Sequence, residues 1–233
     1  MLTVLTFLWN DPDRVRDYSF NHDHVRILQS MVKRNLSIPH RFICVTDDTI
    51  QDVETVPLEW DKHVPGTCFI RLMMRKPGWA ESIGATRILS LDLDMVLVNS
   101  IDPLVERKED CVFWHNPNFP QPKRAFYQTS IQLFDAGARP ELWTEFDPKK
   151  TVRWVNRRFG GAEQAWVSER LHWQEAYWDH RDGIYGAGRL GDWNSGTQCG
   201  LPDNARIVSF PGNREPSQLE VQAKHPWIAE HYR

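Results

Sequence analysis

The chain opens on an unbroken apolar run, Leu2 to Trp9, that stops at Asn10-Asp11-Pro12. A short apolar run closed by turn-forming residues predicts a buried strand. Over residues 21–35 the pattern changes to helical spacing, with Val25, Leu28, Met31 and Val32 on one stripe. After Pro39 a second strand is predicted from His40 to Thr46, ended by Asp47-Asp48, and a third near Val53 to Leu58. Strand, helix and strand at this spacing predict parallel βαβ units in an open α/β sheet. Residues 67–76 read as a helix in which Arg71, Arg75 and Lys76 interrupt Phe69, Ile70, Leu72, Met73 and Met74, with Pro77-Gly78 at its end. Thr86 to Leu91 reads as another buried strand, and Met95 to Val98 is apolar again beyond Asp92-Leu93-Asp94.

The second half is less regular. Cys111 to His115 and Ser130 to Phe134 read as strands, Pro140 to Phe146 and Glu163 to His172 as helices. Residues 180–205, rich in Gly, Asp, Asn and Trp, read mostly as loop, and Arg206 to Phe210 as a last strand before Pro211-Gly212. No internal repeat or low-complexity tract divides the chain.

Composition narrows the classes. A chain of 233 residues with 41% hydrophobic and 25% charged residues suits a globular α/β domain. A net charge of −3 gives no global field that would draw it to nucleic acid or an anionic membrane. Lys149, Lys150, Arg153, Arg157 and Arg158 lie close together, and read as the solvated face of a helix. Four cysteines, Cys44, Cys68, Cys111 and Cys199, form no C-x-x-C pair, which argues against a zinc knuckle and for a reducing, cytoplasmic setting. The N-terminal apolar run lacks a preceding basic segment and is followed by Asp11 and Asp13, so it reads as a strand, not a signal peptide. No stretch approaches the ~20 apolar residues of a membrane span.

The chemistry concentrates at Asp92 and Asp94. Residues two apart in a strand project to one face. Two carboxylates on one face, at the end of a buried apolar strand, repel each other unless a cation lies between them. Hard oxygen ligands suit Mn²⁺ or Mg²⁺. Open α/β sheets bind ligands beyond the carboxyl ends of their strands, where such a cation bridges the phosphates of a nucleotide diphosphate.

The segment ATRILSLDLDMVLVNSIDPL resembles the D-x-D segment of the glycogenin and galactinol-synthase type of glycosyltransferases, family eight of the GT-A fold. The resemblance implies a GT-A-like α/β fold with a central mixed, mainly parallel sheet flanked by helices. It implies one domain whose nucleotide-sugar-binding half runs to about residue 105 and whose acceptor-binding half follows. It implies transfer of a sugar from a nucleotide-sugar donor, a UDP-sugar in most of the family, with Mn²⁺ or Mg²⁺ and with retention of anomeric configuration. By the same resemblance Arg71 contacts the diphosphate or the sugar, although a lone Arg on an apolar helix by itself reads as a snorkelling surface residue. Tyr127 to Phe134 is similar to the family's N-S-G strand, with Gln128 for Asn and Ser130 for Gly. Gly160-Gly161-Ala162-Glu163-Gln164 is similar to its G-D-Q segment, which implies that Glu163 and Gln164 stand near the reacting carbon. Read alone, Glu163 is an acidic residue in a first helical turn.

Residues 206–216 resemble the family's closing H-F-x-G-x-x-K-P-W segment, with departures. Ser209 replaces the His that is the third metal ligand, and Glu215 replaces the Lys that holds the diphosphate. Gly212 and Pro216 match, Arg214 offers a substitute phosphate contact, and Asn213, His225 or water offer a third ligand. Thr6, Phe7, Trp9 and Asn10 would border the base, with Trp9 stacking on it. The acceptor stays open among a glycan, a protein, a small polyol and a modified nucleic-acid base; Trp143, Trp154, Trp166, Trp173, Trp178 and Trp193 crowd the half where it would bind. Two rival classes stay open as well. One is a nucleotidyltransferase of similar fold, although Asn10 to Asp13 lacks the glycine-rich basic loop such enzymes carry. The other is a degenerate, non-catalytic nucleotide-sugar- or glycan-binding protein.

Overall fold

Parallel pairing organises the first half of the chain, as the alternating apolar runs require. The computed structural model describes residues 1–10, 20–65, 67–115, 126–159, 163–187, 200–210, 212 and 214–233, without the side chains of 156–159. Strand β1 (Leu2–Leu8) leads into helix α1 (His22–Asn35), then β2 (His40–Thr46) and β3 (Glu54–Pro57). Asn21 caps α1, its side chain accepting from the N–H groups of Asp23 at 3.0 Å and His24 at 3.4 Å. The stripe Val25, Leu28, Met31 and Val32 is buried, as its spacing demands. A 3-10 helix, Phe69–Arg75, and α2 (Trp79–Ser82) precede β4 (Arg87–Leu91) and β5 (Met95–Leu97). Helix α3 (Asp102–Val105) closes this half.

The second half supplies β6 (Cys111–His115), β7 (Tyr127–Asp135), α4 (Glu141–Thr144), α5 (Pro148–Phe159), α6 (Glu163–Arg170) and β8 (Ala176–Trp178). A 3-10 turn, His180–Asp182, then leads to β9 (Ile184–Gly186), β10 (Ile207–Ser209), α7 (Leu219–Lys224) and α8 (Ile228–His231). One seven-stranded sheet runs β3-β2-β1-β4-β7-β6-β8. Its β1, β2, β3 and β4 are mutually parallel, β7 is antiparallel to β4 and β6, and β8 is parallel to β6. The sheet is therefore mixed and mainly parallel, with helices on both faces. One core cluster lies between the sheet and α1, the other under the 3-10 helix and α4 to α6. Trp143 and Trp178 are core side chains, and Trp154 and Trp166 pack against the core. Trp193 and Cys199 lie outside the described residues. No helix among the described residues is long and apolar enough to cross a membrane.

The structure corrects several expectations. Residues 69–75 are a 3-10 helix, and every one is buried. Side chains of such a helix leave on three sides, so a short one wedged between layers sends its arginines inward. Arg75 stacks over Phe134 at 3.5 Å and donates to Gln132 at 2.8 Å, which makes its burial tolerable. Strand β7 is longer than Ser130–Phe134, because its outer half pairs with β6 past a bulge. Helix α5 carries the basic cluster that the sequence reads as a solvated helix face. On it Lys149, Lys150 and Arg153 are exposed while Thr151 and Val155 are buried, the solvated face that the basic cluster implied. The segment 180–205 is not all loop, since β9 lies within it.

The D-x-D residues are not in a strand. Asp92 to Asp94 form the bend by which the chain leaves the large sheet at Leu91 and enters a small one at Met95. That small sheet has the order β5-β10-β9. It is held at its far end by Gly183, whose carbonyl accepts from the N–H groups of Arg206 at 2.8 Å and Ile207 at 3.2 Å. Gly183 has φ +85, and a Cβ there would lie 2.3 Å from the Asn204 carbonyl oxygen. Gly183→Ala is therefore expected to cost about 2–4 kcal/mol of stability, read as a lower denaturant midpoint at unchanged slope. A loss below about 1 kcal/mol would show that this turn opens without disturbing the small sheet.

Candidate active site

The carboxyl ends of β1 and β2 open into a cleft of about 590 Å³. Its walls are Phe7 to Asn10 at the end of β1, Thr46 to Asp48 at the end of β2, the start of α1, Cys68 and Arg71 at the start of the 3-10 helix, and Asp92 to Asp94. The bend at 92–94 is pinned on both sides. The Asp92 N–H donates to the Ser130 carbonyl at 3.0 Å, and the Phe210 N–H donates to the Asp94 carbonyl at 2.8 Å. Leu93, 4% exposed, anchors the bend in the core, while Asp92 and Asp94 are half-buried and line the same cleft. Both aspartates border the cleft from a bend and not from a strand.

Arg71 is 6% exposed, so it is no snorkelling surface residue. Its Nη1 forms an ion pair with Asp92. Its Nη2 donates to Glu163 Oε2 at 2.7 Å and to Thr129 Oγ1 at 3.3 Å. Burial works against the Arg71 charge, and the carboxylates of Asp92 and Glu163 more than offset it. Glu163, the first residue of α6, is 3% exposed. Burial pushes its carboxyl above the ordinary range while Arg71 pulls the other way. Its side chain is directed into the protein and does not line the cleft. Gln164 is half-buried next to it, its carbonyl accepting from Ser168 Oγ at 2.7 Å.

The remaining expected residues divide. Phe7, Trp9 and Asn10 line the cleft, but Thr6 is fully buried in β1 and does not. Gln128 and Ser130 lie on β7, away from the cleft wall, and Ser130 acts there through its backbone carbonyl. Gly212 and Arg214 are exposed and outside the cleft, and Asn213 and Gly160 to Ala162 lie outside the described residues. Ser209, 1% exposed, pairs with Met95 in the small sheet, and Glu215 and His225 are buried. Among the described residues no group of three or more His, Cys, Asp and Glu side chains converges to hold a metal.

Several cleft residues went unnoticed in the sequence. Asp47 accepts the Asn10 N–H on both carboxylate oxygens at 3.3 Å, and His22 meets Asp48 at 2.9 Å. The rule that drew attention to Asp92, a ligand site beyond the carboxyl ends of parallel strands, applies equally to Asp47 and Asp48 after β2. Thr129 carried no signal, being one polar residue in a buried strand.

The pair Asp92 and Asp94 fits a hard divalent cation. A carboxylate offers about four lone-pair directions, so Arg71 on Oδ1 of Asp92 leaves room for a metal. Mg²⁺ and Mn²⁺ sites commonly take one or two protein carboxylates and complete the shell with water and substrate phosphate.

No protein-family model and no curated protein matches this sequence. Solved structures do. One is the galactosyltransferase LgtC in complex with donor and acceptor sugar analogs, at a TM-score of 0.63 and 12% identity over 98% of this chain and 94% of that one. Another is an active-site mutant of LgtC, at a TM-score of 0.62 and 10% identity over 99% of this chain and 96% of that one. The seven-stranded, mainly parallel sheet flanked by helices is thus the GT-A fold of these structures.

Proposed function

We propose that this chain is a metal-dependent glycosyltransferase that moves a sugar from a nucleotide-sugar donor to an acceptor nucleophile. The observation that carries the reading is the D-x-D bend in the wall of the cleft beyond β1 and β2, with Arg71 beside it. Membership of family eight, a UDP-linked donor and retention of configuration rest on the sequence resemblance. The LgtC structure in complex with donor and acceptor sugar analogs supports the donor class.

Charge balance favours a metal. Among the described residues five carboxylates line the cleft, those of Asp23, Asp47, Asp48, Asp92 and Asp94, against the guanidiniums of Arg26 and Arg71. An anionic diphosphate entering this field is repelled unless a cation comes with it. Asp92 and Asp94 would hold Mn²⁺ or Mg²⁺, which when bound neutralises the charge of the departing diphosphate. Phe7, Trp9 and Asn10 border the base, and Trp9 offers it a flat face. Arg71 supplies a fixed positive charge next to the metal carboxylates, preorganised by Glu163 and Thr129. In the reaction the bond from the anomeric carbon to the phosphate oxygen breaks and a bond to the acceptor oxygen forms. The diphosphate keeps the electron pair, and the acceptor gives up its proton. The second half of the chain would bind the acceptor, and the buried thiols of Cys44 and Cys111 suit a cytoplasmic setting.

A second reading, a non-catalytic nucleotide-sugar- or glycan-binding protein, is favoured by Ser209 and Glu215. Both are buried where the resemblance expects the third ligand and the phosphate-binding Lys.

Nucleotide sugars incubated with the chain, with and without Mn²⁺, separate these readings. Slow metal-dependent release of UDP that disappears in Asp92→Ala/Asp94→Ala is expected. Sugar 1-phosphate in place of UDP would mean nucleotidyl transfer, and binding without turnover the non-catalytic reading. Glu163→Gln is expected to lower turnover by about 10²-fold or more while donor affinity changes by no more than about threefold. Equal losses in both would mean that Glu163 serves only to hold Arg71.

A further inference from the structure

The large sheet ends in a step beside the D-x-D bend. Strand β4 stops at Leu91, opposite Ile131 of β7, while β7 begins four residues earlier at Tyr127. Tyr127 to Ser130 therefore extend beyond the end of β4, and the Asp92 N–H on the Ser130 carbonyl joins this overhang to the bend. Strand β6 extends with β7, since its last residue, His115, lies opposite Tyr127. Beyond β6, β8 sets Tyr177 opposite Phe113. Alternate residues of a strand share a face, and Arg71 reaches Thr129. Tyr127, His115, Phe113 and Tyr177 are thus on the face of the sheet that holds Arg71 and Glu163.

Three aromatic rings gather on this overhang. Phe126, just before β7, lies 4.2 Å from His115 and 5.5 Å from Tyr177, centroid to centroid, and His115 lies 5.2 Å from Tyr177. Their floor is rigid: Tyr127 stacks on Phe113 at 4.8 Å, and the Glu175 N–H donates to the Tyr127 hydroxyl at 2.8 Å. Phe126 and His115 are half-buried, and Tyr177 is 39% exposed. An extended chain bounds the distance from Phe126 to Ser130 at about 14 Å. A diphosphate held at the D-x-D bend and its sugar ring occupy such a span, which leaves the three rings beside the group that receives the sugar. Resting on the glycosyltransferase reading above, we propose that His115, Phe126 and Tyr177 form the acceptor subsite and that its occupant is the pyranose ring of a glycoside. Phe126 and Tyr177 meet at 89°, and His115 is tilted by 40° and 50° to them. No two of the three are parallel, so they form a corner and not a slot for a flat base. A pyranose chair carries C–H groups on its face and at its edge, and both walls of the corner attract them through the negative faces of the rings.

The test uses the whole chain with Mn²⁺ and saturating UDP, so that the donor cleft is filled. Methyl glycosides of glucose, galactose and mannose, with adenosine as the flat probe, are titrated by saturation-transfer NMR. At least one glycoside is expected to receive saturation at its ring C–H protons on wild type, and adenosine none. Tyr177→Thr keeps a strand-forming residue at this exposed position and loses the ring. It is expected to bind that glycoside about tenfold more weakly, whereas Tyr177→Phe stays within about twofold of wild type. Equal affinity in wild type and Tyr177→Thr overturns the proposal. So does a wild type that binds none of the glycosides, or adenosine binding that Tyr177→Thr abolishes. Should circular dichroism show that Tyr177→Thr does not fold, Phe126→Leu takes its place, and wild-type affinity there overturns the proposal equally. Release of UDP from nucleotide sugars by wild type, measured alongside, tells the two failures apart. Release without glycoside binding removes this subsite and leaves the glycosyltransferase. Glycoside binding through Tyr177 without release defeats the glycosyltransferase reading and the acceptor role with it, and leaves a glycan-binding protein.

Discussion

Between the D-x-D bend and the start of α6 lies a single guanidinium, and it balances the charge of both. Arg71 reaches Asp92, Glu163 and Thr129, which come from three separate segments of the chain. Neither the Arg71 nor the Glu163 charge is tolerable at such depth by itself. Removing one member of a buried pair typically costs about 3–5 kcal/mol, because the partner keeps its charge and loses its counterion. The 3-10 helix, the bend, β7 and α6 are therefore fixed relative to one another by electrostatics as well as by the apolar packing around them. Glu163 serves here as more than a favourable acid in a first helical turn: it is the deepest anchor of the arginine.

This constraint separates the parts of the molecule that were legible in the sequence from those that were not. Helix α1 and strands β1, β2 and β6 were readable because each presents one environment to one face, and their apolar spacing records it. Asp92 and Asp94 were readable because two carboxylates bounded by apolar runs repel each other unless a cation joins them. Arg71 was not readable from its surroundings. Seven buried residues in a 3-10 helix have no polar face, so nothing in the local pattern distinguishes an inward arginine from a snorkelling one. Only the family resemblance pointed to it. The small sheet was hidden for a related reason. Its strands β5, β9 and β10 are three residues each and come from distant parts of the chain; β10 alone was read as a strand, and its pairing with β5 and β9 leaves no mark in the local pattern.

The departures at the end of the chain bear on how the cleft handles an anion. Where the resemblance expects a cationic side chain for phosphate, position 215 is a carboxylate, and the protein buries it completely. The C-terminal segment has thus given its side chains to the core around Phe210 and Tyr232 while still gripping the D-x-D bend through the Asp94 carbonyl. Among the described residues, one cation fewer near the diphosphate leaves the five carboxylates of the cleft opposed by Arg26 and Arg71. Arg26 is itself paired with Asp23, at 2.8 Å, and Arg71 with two acids. On the proposed function, neither guanidinium is then a full positive charge for the donor, and the attraction that a Lys would have supplied falls to the metal. A donor bound in such a cleft should depend on its divalent cation for entry as well as for departure of the leaving group.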